Sequence, residues 1–186
     1  MSGQDPIRHS ICRSADSQSG AAAVELAFVA SLLLALSLGI AEFGRALYTY
    51  DALVKSARSA SRYLSTNIGP DSLERTRCLA VYGMPLSPCE PSTPPLIEGL
   101  VLEQIRIDLP FDLRADNGTV LLPATPGLSV LVARDAAGFA VDGNLDLVMV
   151  TIGPADSPFR FSPLFPFVLP AIRLGPVSSS MPLAAF

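Results

Sequence analysis

One carboxylate, Glu25, lies within twenty otherwise uncharged residues, 21–40, of a 186-residue chain. An ionised carboxylate in hydrocarbon costs roughly 2.5–3.5 kcal/mol on insertion scales, so it needs a partner or access to water. A cut after Gly20 would supply a partner. Ala21 would then carry a free α-amine, and Glu25 would stand at the fifth position, one helical turn away. In a stack of such helices, the amine of a neighbouring subunit could serve instead. Two charges that are costly alone would then form a pair in an apolar interior. The plainer account is a helix-start acid favoured by the N-terminal dipole and close to the interface. The two accounts overlap, because a helix starting at Ala21 provides that dipole.

The other reactive side chains support little chemistry. His9 is the single histidine, and removal of the first twenty residues would leave none. That weakens Ser-His-Asp and Cys-His nucleophiles and most zinc sites, and no G-x-S-x-G motif is present. The formal net charge is −4 with no basic block, which gives nucleic-acid binding no electrostatic support. Asp108, Asp112, Asp116, Asp142 and Asp146 are spread over expected turns and strands without EF-hand spacing, and they read as a solvated β face. No cofactor or metal is expected. Of the three cysteines, Cys12 precedes the apolar run and lacks a lipobox context. Cys78 and Cys89 follow the run, on one side of it. An even pair in an exported region reads as a disulfide closing a short loop; in a cytosolic protein the same pair would be two reduced thiols.

The elements that carry these residues fall into four parts. Residues 1–20 are polar and without apolar periodicity, and read as a disordered leader. Residues 21–65 read as one continuous helix, uninterrupted by proline or asparagine. Its first twenty residues are long enough to cross a hydrocarbon core of about 30 Å. After Glu42 the pattern turns amphipathic, with Phe43, Leu47, Tyr50, Leu53 or Val54, Ala57, Ala60 or Ser61, and Leu64 at helical spacing. Glu42, Arg45 and Tyr48 share a face just past the apolar run. Pairing of Glu42 with Arg45 and an interfacial role for Tyr48 follow, with surface solvation preferred to a specific partner contact. Residues 66–99 read as a connector holding a short helix over 71–82, capped by Asp71 or Ser72, and then "MPLSPCEPSTPP", whose five prolines exclude regular structure.

Residues 100–186 read as β-rich. "VLEQIRIDL" alternates, with Val101, Ile105, Ile107 and Leu109 inward. "GTVLL", "LSVLVA" and "NLDLVMVTI" are further strands, and "DNG" and "VDGN" are turn signals. "PFRFSPLFPFVLP" suits an edge strand or an extended docking segment. The expected fold class is α+β: a long N-terminal transmembrane and amphipathic helix followed by a small β-rich domain.

The stretches "GAAAVELA", "LLLALSLGIAEFGRALYTYDAL" and "SARSASRYL" resemble type IV pilins and, more specifically, the TadE-like proteins of tight adherence (Flp) pili. Glu25, Gly39, Glu42, Gly44, Arg45, Tyr48, Leu53, Ala57 and Arg62 fit that pattern. The tail, "VMVTI" and then "FRFSPLFPFVLPAIRLGPVSSSMP", is similar to the family's closing strand, apolar patch and final strand. The resemblance implies a minor pseudopilin rather than an enzyme. It implies that a prepilin peptidase cuts between Gly20 and Ala21, and that the mature helix stays in the bacterial inner membrane until assembly. It also implies a periplasmic C-terminal region, with other pseudopilins, assembly-platform proteins and inner-membrane lipid as partners. Glu42, Gly44, Arg45 and Tyr48 would then belong to the helix-assembly face.

Charge alone does not set the orientation, since Arg8 and Arg13 precede the run and Arg45, Lys55 and Arg58 follow it. A conventional signal peptide, with residues 26–38 as its apolar core and a cut after Ala41, would leave Glu25 unexplained and divide one helix. An uncleaved, membrane-anchored periplasmic binding domain is the main alternative. An anchored hydrolase is the weakest, for want of a nucleophile motif.

Overall fold

The structure, a computed structural model, describes residues 15–89, 93–134 and 140–183. Its dominant element is α1 (Ala15–Thr66), an unbroken helix of 52 residues, about 78 Å long at 1.5 Å per residue. It starts before the expected position. Nothing in the stretch from Ala15 to Gly20 blocks a helix, and one glycine costs only about 1 kcal/mol, so the helix runs back through Gly20. The rest of the expected leader, residues 1–14 with Arg8, His9, Cys12 and Arg13, lies outside the described residues. At the other end the Asn67 side chain donates to the Tyr63 carbonyl at 3.0 Å, and Gly69-Pro70 ends the helix.

Among the described residues, none packs around the N-terminal part of α1. It contains an 18-residue window of mean hydropathy 2.2, none of which is buried, and Leu26, Phe28, Leu32 and Leu36 are exposed. The helix is therefore long and apolar enough to cross a membrane. Ser31 and Ser37 donate back to the Phe28 and Leu33 carbonyls, each at 2.8 Å. Their hydroxyls are thus satisfied within the helix, as a lipid surround requires.

From Leu53 onward α1 turns one stripe inward: Leu53, Ala57, Ala60 and Leu64 are fully buried. The expected stripe holds there and fails before it. Phe43, Leu47 and Tyr50 are exposed, and Ala46 is buried instead. The sheet backs α1 only at its C-terminal half, so Phe43 and Leu47 continue the outward apolar surface of the span.

α2 (Ser72–Tyr82) packs against α1, and Ser56 Oγ of α1 donates to the Ala80 carbonyl across the contact. Asp71 occupies the N-cap position without a side-chain bond. Ser72 instead reaches back to the Gly69 carbonyl at 2.6 Å. Gly83 closes α2 in the left-handed region, φ 77°, where glycine carries no Cβ penalty.

The β region comprises β1 (Ile105–Asp108), β2 (Leu113–Arg114), β3 (Val120–Leu122), β4 (Ser129–Arg134), β5 (Ala140–Ile152), β6 (Phe159–Phe161), β7 (Ile172–Leu174) and β8 (Val177–Pro182). β5 is the spine. Its first half pairs with β4, and its second half lies between β1 and β8, all antiparallel. Two small hairpins, β2–β3 and β6–β7, stand beside this sheet. Ile105, Ile107, Val148, Val150, Ile152 and Val177 are buried with the α1 stripe in one core. The small residues on α1 allow close approach, and Ser61 Oγ meets Ser179 Oγ of β8 at 3.0 Å. The opposite face is more polar, with Thr151 and Ser178 hydroxyls 2.9 Å apart. The architecture is α+β, a long apolar helix followed by a small β-rich region.

Three local expectations change. Val101 is exposed (46%) because a short 3-10 turn, Leu102–Gln104, precedes β1 and breaks the alternation. "VDGN" lies inside β5 rather than at a turn. Leu131 pairs with Asn144 and Ala133 with Val141, so Asp142-Gly143 forms a bulge that bends the strand. Asp108, expected in solvent, is buried and accepts from Arg106 Nε at 3.2 Å and Thr125 Oγ1 at 3.1 Å. "DNG" does form a turn, with the Gly118 amide donating to the Ala115 carbonyl at 2.8 Å.

Candidate functional site

Three groups of residues were singled out by sequence, and α1 keeps two of them apart. Gly20, Ala21 and Glu25 lie on the exposed apolar part of the helix. Glu25 has neither a hydrogen bond nor an ion pair among the described residues. Glu42, Gly44, Arg45 and Tyr48 lie about 26–35 Å further along at the helical rise.

Glu42 is the best-held side chain of this second group. It is 1% exposed. Its Oε2 accepts from Arg45 Nη1 at 3.0 Å, and its Oε1 accepts from Arg45 Nη1 at 3.3 Å and from the Leu164 amide at 2.9 Å. The Arg45 guanidinium lies over the Phe161 ring, 5.4 Å from its centroid, a cation–π arrangement. Helix spacing of three brings Glu42 to Arg45, as the sequence indicated. The burial of Glu42 was not indicated. A segment 122 residues away covers it, and no local pattern announces that contact. The one available signal was the charge-free, proline-broken "SPLFPFVLP", which needed a surface to dock on.

Gly39 completes the docking surface, because a Cβ there would be 3.5 Å from Val168 Cγ1. Gly44 and Tyr48 point elsewhere. A Cβ on Gly44 would meet nothing within 4 Å, Tyr48 is exposed, and together with Leu96 and Glu98 they line an open groove. Next along α1, Asp51 and Lys55 form an exposed ion pair at 2.6 Å. The hydrogen bond to Asp51, with its charge, holds the Lys55 ammonium above the usual lysine value. Both groups are in solvent, where such pairs contribute little.

A disulfide joins Cys78 of α2 to Cys89, with Cα atoms 5.5 Å apart. It closes the proline-rich connector against the helix, whose C-terminal carbonyl from Val81 also accepts the Leu96 amide at 2.8 Å. Reduction is expected to lower the stability of the full chain in micelles by about 2–3 kcal/mol through loop-closure entropy. A urea midpoint measured with and without reductant checks this; an unchanged midpoint would mean that the bridge is absent or idle.

Among the described residues no three His, Cys, Asp or Glu side chains are grouped to hold a metal ion. Asp112 spends its oxygens on the Ala124 amide at 2.8 Å and Arg114 at 3.3 Å.

A family model described as TadE-like protein matches residues 20–62, beginning at Gly20. Residues 20–62 are a TadE-like domain. Its match takes in the exposed span, Glu42 and Arg45, and the buried stripe as far as Ala60. The match covers 43 of the 186 residues and is a likeness of that segment alone. The rest of the chain, including the β region that covers Glu42, lies outside the match. No curated protein and no solved structure matches the chain. The disulfide beyond the TadE-like segment is consistent with an extracytoplasmic location for that part.

Proposed function

We propose that the chain is a minor pseudopilin-like component of tight adherence pilus assembly. It is inserted in the bacterial inner membrane by α1, cut by a prepilin peptidase between Gly20 and Ala21, and carries residues 66–186 on the periplasmic side. The observation that carries this reading is a coincidence of boundaries. The TadE-like match begins at Gly20, and Glu25 follows five residues later on an apolar helix surface that none of the described residues covers.

Cleavage would give that surface its chemistry. A new α-amine at Ala21 neutralises Glu25 within one helix or between neighbours, and the exposed apolar residues pack on other pseudopilin helices. The groove beside Gly44 and Tyr48 offers those helices a shallow seat above the span. The chain itself performs no bond chemistry; it is the peptidase's substrate and a packing unit.

The test is the mature N-terminus, read by intact mass after expression with and without the cognate peptidase. A terminus at Ala21 that requires the peptidase and is lost in Gly20→Asp is the expected result. A terminus at Glu42 would mean an ordinary signal peptide and would end the pilus reading. One observation favours the alternative of an uncleaved anchored binding domain: α1 continues through Gly20 to Ala15 without a break. An uncut chain in the presence of active peptidase would establish that alternative.

A further inference from the structure

The β6–β7 hairpin ends in a tip that its own chain leaves partly bare. Residues 162–171 contain no charged side chain. Leu164 is 66% and Phe167 78% exposed. This is not loose chain. Pro163, Pro166 and Pro170 fix φ, Phe165 and Phe167 meet edge to face at 5.9 Å, and the Val168 and Leu169 amides both donate to the Phe165 carbonyl. The Leu164 amide donates to Glu42, so three of the tip's seven backbone N–H groups are bonded within the chain, and its three prolines carry none.

The tip is also held at a defined height. Val168 lies against Gly39, at the last turn of the apolar run, beside the exposed Leu36, Ile40 and Phe43. The bare apolar surface of the tip therefore continues that of the span. Phe161 sits under Arg45, six residues or about 9 Å further along α1. The headgroup layer above the hydrocarbon is about 5–8 Å thick. Arg160 and Arg173, the neighbours of Phe161 and Ile172, are thus placed at or just above phosphate level.

Those two arginines face each other across the β6–β7 ladder, and both are exposed. Like charges directly opposite each other are unfavourable, and neither arginine has an ion-pair partner among the described residues. An anion between them would relieve the repulsion, and guanidinium groups suit phosphate oxygens.

We propose that the β6–β7 hairpin is a second membrane contact. Leu164 and Phe167 enter the leaflet at the C-terminal end of the span, and Arg160 and Arg173 bind the phosphates of anionic phospholipids there. This rests on α1 crossing a bilayer, but not on cleavage at Gly20 or on pilus assembly. The contact fixes how far the β region stands from the membrane, so that Glu42 remains covered while the chain is in lipid.

The chain has no tryptophan, so Phe167→Trp gives a single reporter in the full protein. It is read in nanodiscs containing phosphatidylglycerol and lipids brominated high on the acyl chain. Leu33→Trp serves as the reporter within the span, and Ser59→Trp as the one far above it. The expected result is blue-shifted, strongly quenched emission from Phe167→Trp and Leu33→Trp, and none from Ser59→Trp. Quenching of Phe167→Trp should weaken when phosphatidylcholine replaces phosphatidylglycerol, and Arg160→Gln with Arg173→Gln should remove that difference. Quenching of Leu33→Trp without Phe167→Trp would overturn the hairpin contact alone. Loss of both would overturn the membrane reading with it. A blue shift of Phe167→Trp without quenching, rising with the number of chains per disc, would place a second copy on the tip and also overturn the proposal. Quenching that is indifferent to the two arginines would remove them from it.

Discussion

Glu42→Ala is expected to destabilise the full chain in micelles by about 2–4 kcal/mol and to release the tip of the β6–β7 hairpin. The alanine leaves the Leu164 amide, now bonded at 2.9 Å to Oε1, without an acceptor beside a buried position. An unsatisfied buried donor costs about 1–3 kcal/mol. The charge-assisted bonds to Arg45 go as well. Arg45 is 41% exposed, so water recovers much of its charge and the loss from that partner is small. Urea unfolding measures the total, and hydrogen exchange at the Leu164 amide locates it. Glu42→Gln keeps an acceptor for Leu164 and should lose only about 1 kcal/mol, the typical net value of one hydrogen bond. An equal loss in both variants would make the contact a matter of charge rather than of the amide. Unchanged exchange at Leu164 in Glu42→Ala would sink the docking role of Glu42.

The second large effect is expected at Gly153, which turns the chain from β5 toward β6. Its φ is +66°, and a Cβ there would stand 2.9 Å from the Phe159 nitrogen, 3.2 Å from Phe159 Cβ and 3.3 Å from the Leu174 carbonyl oxygen. These are backbone or near-backbone atoms of β6 and β7, so relief requires the hairpin to move. Gly153→Ala should cost about 2–4 kcal/mol, from about 1–2 kcal/mol for the left-handed conformation and the rest from overpacking. Gly127→Ala is the matched comparison. Its φ is +88° but its added Cβ would meet nothing within 4 Å, so only the conformational cost of about 1–2 kcal/mol should appear. If the two glycines cost the same in urea unfolding, the hairpin is not tightly seated against the end of β5.

Both effects converge on one structural unit that the sequence revealed only in part. The segment around Phe161 could be read as an edge strand or a docking segment, because prolines exclude it from the interior of a sheet. Its dock could not be read, because a contact spanning 122 residues leaves no periodicity. For the same reason Glu42 looked like a surface acid. Its charge and its spacing from Arg45 are local facts, whereas its burial depends on where the tail returns.

The stripe on α1 divides in the same way. Leu53, Ala57, Ala60 and Leu64 are buried as their spacing indicates, since a whole sheet meets that side. Phe43 and Leu47 have equally good spacing but no layer beside them. Asp142-Gly143 carries a strong turn signal, yet it forms a bulge because β4 and β5 pair on either side of it. There, sheet register outweighs local preference.

Sequence alone determined the features that depend on neighbours within a few turns: the apolar helix and its end at Asn67-Gly69-Pro70, the lone acid five residues after Gly20, the alternation of β1, the strand character of the second half of β5, and the TadE-like pattern along α1. Tertiary structure alone decided which side of the upper helix is covered, that Glu42 accepts an amide from the tail, and that Arg160 and Arg173 face each other beside a bare apolar tip. The physical reason is range. Helix and strand patterns arise from bonds and packing over a few residues. The position of the β6–β7 hairpin is set by chain closure over more than a hundred residues, and by one glycine that leaves room for it.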